Sequence, residues 1–161
     1  MAILPQLIEE DIQEFEATLK ELLRRSEAET ALILDQGGFL IVQAGRSASL
    51  DTTTLCALSA ASYAATQGIA QLLSEPNFNS VYQQGQASSL LVMPVDDSCL
   101  LAVIFKTPIS VGAVRYFGEP ALHRLAAQFT IARQRHPEAG LDLSRLNLAD
   151  PSPLFQRKAA P

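Results

Sequence analysis

Cysteine and histidine are scarce, basic residues are outnumbered, and no long apolar run occurs. The two cysteines, Cys56 and Cys99, are too few for a disulfide framework. The expected compartment is therefore a reducing cytoplasm. Seventeen acids against twelve bases give a net charge of −5 and a pI near 5.0. Binding to phosphate needs clustered Lys and Arg, and no such block is present, which argues against nucleic acid and anionic membrane surfaces as partners. The longest apolar run is the seven residues Cys99–Phe105, far short of the roughly 20 needed to span a bilayer. The first residues, MAILPQLIEEDIQEF, lack a basic flank and carry acids where a signal peptide would be apolar, so no leader and no membrane insertion are expected.

Catalytic signatures are missing as well. There is no GxxxxGK[ST], no GxGxxG and no GxSxG. The stretch Gly112–Gly118 lacks the Lys and the second close Gly that a phosphate cradle requires. His123 and His136 are 13 residues apart without a partner at ligand spacing. Cys56 and Cys99 read as small apolar residues. The acid pairs Glu9-Glu10 and Asp96-Asp97 fall at a helix start and in a turn, which does not suit glycosidase-type chemistry. No catalytic residue, cofactor or metal is expected, and function is expected to reside in surfaces.

What is present is ample apolar material. With 161 residues, 48% of them hydrophobic, the chain has the size and composition of one packed domain. Ile8, Ile12, Phe15, Leu19 and Leu22 form one stripe at helical spacing, with acids at its start and Arg24 and Arg25 at its end; this predicts a helix over 6–26. Ala31–Leu34 and Phe39–Val42 flank Asp35-Gln36-Gly37-Gly38, the pattern of a β-hairpin. The two runs are nearly continuous rather than alternating, so helices are expected on both faces of the sheet. Asp51 or Thr52 can cap a second helix that runs to Ser74 and stops before Pro76. Three strands follow: Asn79–Gln86, Leu90–Val95 and Cys99–Phe105, the last two joined by the turn Asp96-Asp97-Ser98. A last helix starts after Pro108 with Ser110 as its cap, and Pro120 is expected to kink or break it. Residues 1–136 are read as one domain and 137–161 as a C-terminal extension, extended or partly disordered.

Two features stand out as candidate interfaces. The second helix has no Lys or Arg and one acid before its last turn, where a surface helix normally carries charge outside. Leu55, Leu58, Ser62, Ala65, Ile69 and Leu72 make one stripe on it; Ala57, Ala60, Ala61, Ala64 and Gly68 make a face of small residues that permits close approach of another helix. That face is assigned to the interface of a homodimer, with Ala61→Arg or Ala64→Arg expected to split it. The polar strand Val81-Tyr82-Gln83-Gln84 reads as a sheet edge without charge or cover, open to pairing with another chain. A proline at Val81 or Gln83 is expected to weaken that pairing.

The order helix-β-β-helix-β-β-β-helix, an α/β (α+β) sandwich, resembles the Roadblock superfamily. The residues that carry the likeness are the hairpin Ala31–Val42 with its Asp-x-x-Gly turn, the Ala/Ser-rich helix Leu55–Leu73, and Leu100–Lys106 followed by Ser110–Arg115. The resemblance spans about residues 6–135. It implies a five-stranded antiparallel sheet with helices on both faces, joined to a second sheet through the edge near Asn79–Gln86, with the long second helices lying together across the dimer. It further implies partnership with a small Ras-like GTPase. In the MglB-type subgroup, two copies act on one GTPase by repositioning its own catalytic residues rather than by an arginine finger, and a C-terminal extension contributes. Other classes compatible with a small acidic α/β chain are a dimeric scaffold of the same fold without a GTPase, a secretion-type chaperone holding extended peptide, and a PAS- or GAF-like ligand sensor.

Overall fold

The computed structural model describes residues 3–135; the extension expected over 137–161, and His136, lie outside the described residues. Eight elements follow in order: α1 (Glu9–Ser26), β1 (Thr30–Asp35), β2 (Leu40–Gly45), α2 (Thr52–Leu72), β3 (Val81–Gln84), β4 (Ser88–Pro94), β5 (Cys99–Lys106) and α3 (Val111–Arg135). The strands form one antiparallel sheet in the order β2-β1-β5-β4-β3. The hairpin β1–β2 and the three-stranded meander β3–β4–β5 thus meet along β1 and β5, and β2 and β3 are the edges. α1 and α3 cover one face around Phe15, Leu19, Phe105, Leu125 and Phe129. α2 covers the other around Leu32, Leu34, Cys56, Tyr63 and Leu100. Residues of β1 alternate between the two cores, Ile33 to one and Leu32 and Leu34 to the other, which is why its sequence is apolar throughout.

Local chemistry sets the turns and helix ends. The Asp35 carboxylate accepts the Phe39 N–H at 2.8 Å and tightens the β1–β2 turn. Gly38 in that turn has φ +90°, and a Cβ there would lie 2.7 Å from Cα of Ala57. Only glycine allows both the backbone conformation and the seating of α2 on the hairpin. Asp51 caps α2 through Thr54, accepting its N–H at 3.0 Å and its hydroxyl at 2.6 Å. The Ser110 hydroxyl accepts the Gly112 N–H at 3.2 Å to start α3. At the end of α2, Ser74 adopts φ 57°, Glu75 N–H reaches Ala70 O at 2.9 Å and Ser74 N–H reaches Gln71 O at 3.2 Å. These bonds make the reverse turn in which glycine is normally found. Ser74→Gly is expected to stabilise the fold by about 0.5–1 kcal/mol, because it relieves the left-handed strain of a side chain. Urea unfolding at fixed protein concentration would read this as a higher midpoint, and a lower one would refute it.

Polar bonds lock α3 to the rest. Asp11 is fully buried at the start of α1. It accepts from Ile8 N–H (2.9 Å), Gln128 Nε2 (2.6 Å) and Arg135 Nη1 (2.9 Å), with Arg135 Nη2 on its other oxygen. The Arg135 guanidinium first, with Ile8 and Gln128 adding to it against burial, brings its pKa down to about 2. Asp96 in the β4–β5 turn accepts from Ser98 and Cys99 N–H (2.8 and 2.9 Å) and from Arg133 (2.7 Å). Burial pushes the Asp96 carboxyl up, but its bonds to Arg133 and Ser98 outweigh this and leave it below its ordinary range.

Of the two effects expected of Pro120 on α3, a break is excluded. Pro120 does not break it: the helix is continuous over Val111–Arg135. Pro120 lies on the solvent side, where the helix carbonyl left without a donor can be hydrated.

Candidate interaction surface

The sheet covers α2 on one side only. Its buried residues are Cys56, Ser59, Ala60, Tyr63 and Ala70. Ala60, expected on the free face, packs instead onto the sheet with Tyr63 and Leu100. Ala57, Ala61, Ala64 and Gly68 are exposed, and a Cβ at Gly68 would meet nothing within 4 Å. Of the stripe of larger residues, Leu58, Ile69 and Leu72 are 63%, 51% and 85% exposed, while Leu55 and Ser62 are half-buried. From Thr52 to Leu72 there is not one charged residue. The outer side of α2 is thus an uncharged surface of apolar and small residues with no cover among the described residues, the kind of patch that marks a protein interface.

Length adds to this exposure. Twenty-one residues make about 31 Å of helix, whereas the four residues of β3 span about 13 Å. The helix is thus longer than the edge strand it runs against, and Leu72 and Leu73 are exposed at its end.

β3 lies alongside as an edge that no other strand of the described residues pairs. Its pairing with β4 runs Val81–Val92, Tyr82–Leu91, Gln83–Leu90 and Gln84–Ser89. Gly85 donates its N–H to Ser88 O at 3.1 Å, which fixes the phase of the ladder. Backbone groups alternate in direction along a strand. Val81 and Gln83 therefore bond inward to β4, while Tyr82 and Gln84 present their N–H and C=O outward. The proline test expected at Val81 or Gln83 would break the chain's own sheet; the residue to change is Gln84. Side chains alternate too. Val81 packs toward α2 and Gln83 reaches Ser62 Oγ at 3.3 Å, while Tyr82 stacks on Phe105 from the other face, ring centroids 6.2 Å apart. The edge and the outer side of α2 are tied by Gln67, whose amide bonds both the N–H (3.3 Å) and the carbonyl (3.0 Å) of Phe78.

The chemistry-bearing side chains elsewhere do not gather. Cys99 is buried, and burial pushes its thiol up to about 12; burial raises Cys56 as well, with Asp35 adding to it. Thiols held protonated in this way are poor nucleophiles. His123 is exposed on α3. Among the described residues, no three of His, Cys, Asp and Glu come together to hold a metal, and no helix is long and apolar enough to cross a membrane.

Residues 14–105 match the family model of the Roadblock/LC7 domain. The chain belongs to the Roadblock/LC7 family. Within it, solved structures of MglB are similar. MglB of Myxococcus xanthus is 31% identical with a TM-score of 0.73, the match covering 79% of this chain and 96% of that one. The gliding protein MglB of Thermus thermophilus is 28% identical with a TM-score of 0.73, covering 81% and 98%. An MglB described with a tetrameric arrangement is 28% identical with a TM-score of 0.75, covering 82% and 99%. A comparison with curated proteins finds no significant match. The family match begins inside α1 and ends in β5, so α3 falls outside it, whereas the MglB structures cover most of this chain.

Proposed function

We propose that this chain is a homodimeric interaction module that binds and regulates a small Ras-like GTPase and carries no catalytic residue of its own. The likeness to MglB over most of the chain carries this reading, because the MglB-type resemblance implies that role. The uncharged outer side of α2 and the open β3 edge support it as the surfaces through which one copy meets another and the pair meets its partner. In this reading two β3 edges join antiparallel through Tyr82 and Gln84, and the two α2 helices form one platform. Ala57, Ala61, Ala64 and Gly68 let the opposing backbone approach closely. The pair then acts by favouring one conformation of the bound GTPase, which requires only that it bind that conformation more tightly than others.

The test is GTP turnover by a Ras-like GTPase of the same organism, with and without this protein, alongside the protein's mass in solution. A dimer that accelerates turnover supports the proposal. A dimer that neither binds nor accelerates leaves a scaffold of the same fold, and a monomer removes the platform on which the proposal rests. Ala61→Arg separates surface from fold. Ala61 is exposed, so arginine there meets no residue of its own core, and the melting temperature is expected to stay within a few degrees. Dimerisation and stimulation are expected to fall by at least about tenfold, because a buried charge without a partner would enter the interface. Unchanged mass and turnover would exclude this face.

A further inference from the structure

The sheet has a second edge. β2 (Leu40–Gly45) closes the side opposite β3, and among the described residues no strand pairs its outer flank. Two bonds fix its phase. Arg46 donates its N–H to Glu29 O at 2.9 Å, and Phe39 O accepts the Asp35 N–H at 3.0 Å. Between them Ala44 lies opposite Ala31, and Val42 opposite Ile33. Ala44 and Val42 therefore bond inward to β1, while Gln43 and Leu40 turn their N–H and C=O outward. Edges that stay solitary are usually guarded by Lys, Pro or an inward charge. β2 reads LIVQAG and has none of these. The irregularity in its ladder, the extra residue Ile41, falls next to the hairpin tip.

The surroundings of β2 state what it can hold. On the α1 side, Leu23 approaches Gly45, and Leu23 and Ile41 pack on the core yet stay half-buried. At the start of β2, Phe39 is 74% exposed. At its end an open cleft of about 470 Å³ adjoins Gly45, with Arg24, Arg46 and Lys106 set against Glu27 and Glu29. Lys106 is held by Glu29 at 3.6 Å and Arg24 by Glu21 at 2.8 Å. Arg46 is exposed and has no ion pair among the described residues.

We propose that β2 is a docking edge for an extended segment of a partner protein, with apolar side chains at alternate positions and an acidic residue at the end that meets Arg46. The backbone of that segment satisfies Gln43 and Leu40, as in other cases of strand addition. Its alternate apolar side chains cover Leu23 and Ile41, and its carboxylate answers the unpaired guanidinium. An antiparallel fit, the stronger ladder, puts the acidic residue first and an apolar one last, beside Phe39. A second copy of this chain fits less well, because its own β2 brings no carboxylate. The inference is independent of the homodimer, since β2 and β3 are opposite edges.

A fluorescent peptide tests it on the full chain. β2 has six residues, about 20 Å in length, so a segment of about eight residues covers it. The probe begins with glutamate, alternates valine and threonine, and ends on phenylalanine. The parent is expected to bind it with a dissociation constant of roughly 10–100 μM. The same peptide with lysine for glutamate is expected to bind at least about fivefold more weakly, and Arg46→Glu is expected to invert that preference. Gln43→Pro removes an outward donor and leaves the bonds to β1 in place, so it is expected to fold as the parent does by circular dichroism and to lose the peptide. No binding up to about 1 mM, equal binding of the two peptides, or an Arg46→Glu variant with unchanged preference would overturn the proposal. Binding kept in Gln43→Pro but lost in Gln84→Pro would place the peptide on β3 and overturn it as well. A parent whose mass in solution falls on Gln43→Pro would show a second copy on this edge in place of a partner.

Discussion

Gln84→Pro is expected to convert the proposed dimer into a folded monomer. Gln84 points its N–H away from β4, as the bond from Gly85 N–H to Ser88 O dictates, so a proline there removes no hydrogen bond from the chain's own sheet. Edge strands accept proline on that side. In an antiparallel β3–β3 junction the same change removes one donor from each copy and places a ring against the facing strand. Two lost hydrogen bonds at about 1 kcal/mol each, with the added clash, cost roughly 2–3 kcal/mol. That is about a hundredfold in dissociation constant. Gln83→Pro is the contrast. Its N–H is spent on β4, so this variant is expected to lose monomer stability as well. Sedimentation and far-UV circular dichroism on the two variants would tell them apart. A Gln84→Pro protein that stays as dimeric as the parent would rule out joining of sheets through β3.

Asp11→Ala is expected to cost about 2–4 kcal/mol of stability at neutral pH, because removing one member of a buried pair leaves the others desolvated and unpaired. The carboxylate is fully buried and gathers Ile8, Gln128 and Arg135 from both sides of the α1–α3 layer. Arg135 is 29% exposed in its side chain, so water recovers part of the loss. The folded-state pKa of about 2 lies below the ordinary 3.8, and this fixes the sign of the pH dependence. The stabilisation is fully present above about pH 4 and is lost as pH falls toward about 2. A shift of this size corresponds to about 2 kcal/mol. Urea midpoints for the parent and for Asp11→Asn, measured at neutral pH and again at about pH 2.5, should therefore converge in acid. Two curves that run parallel across that range would show that Asp11 contributes no such linkage.

Asp11 also shows what distance in sequence conceals. As a residue in the first turn of a helix it reads as a complement to the helix dipole, and it does serve there by accepting the Ile8 N–H. Its heavier duty is to bind Gln128 and Arg135, 117 and 124 residues away, and no local spacing could announce that. Asp96 is similar: its place in a turn is evident from the sequence, its bond to Arg133 is not. The same holds for α2. Its apolar residues surround it almost entirely, so the contrast between wet and dry faces that normally reveals a helix's orientation is absent. Ala60 was expected on the interface face with Ala57, Ala61 and Ala64, yet the sheet took it together with Cys56 and Tyr63.

The elements, their order and their punctuation were all legible along the chain. Period-two and period-3.6 patterns, the Asp35–Gly38 turn and the caps Asp51 and Ser110 are governed by interactions within a few residues. The lack of charge on α2 and on the β3 edge was equally plain, and it pointed to surfaces rather than to a catalytic centre. Other properties emerged with the packed molecule: which side of α2 meets the sheet, that Ala60 belongs to the core and Leu72 to the outside, that Pro120 rides within an unbroken helix, and which amides of β3 face outward. Each of these depends on how elements distant in the chain are rotated and phased against one another, and packing sets that rotation.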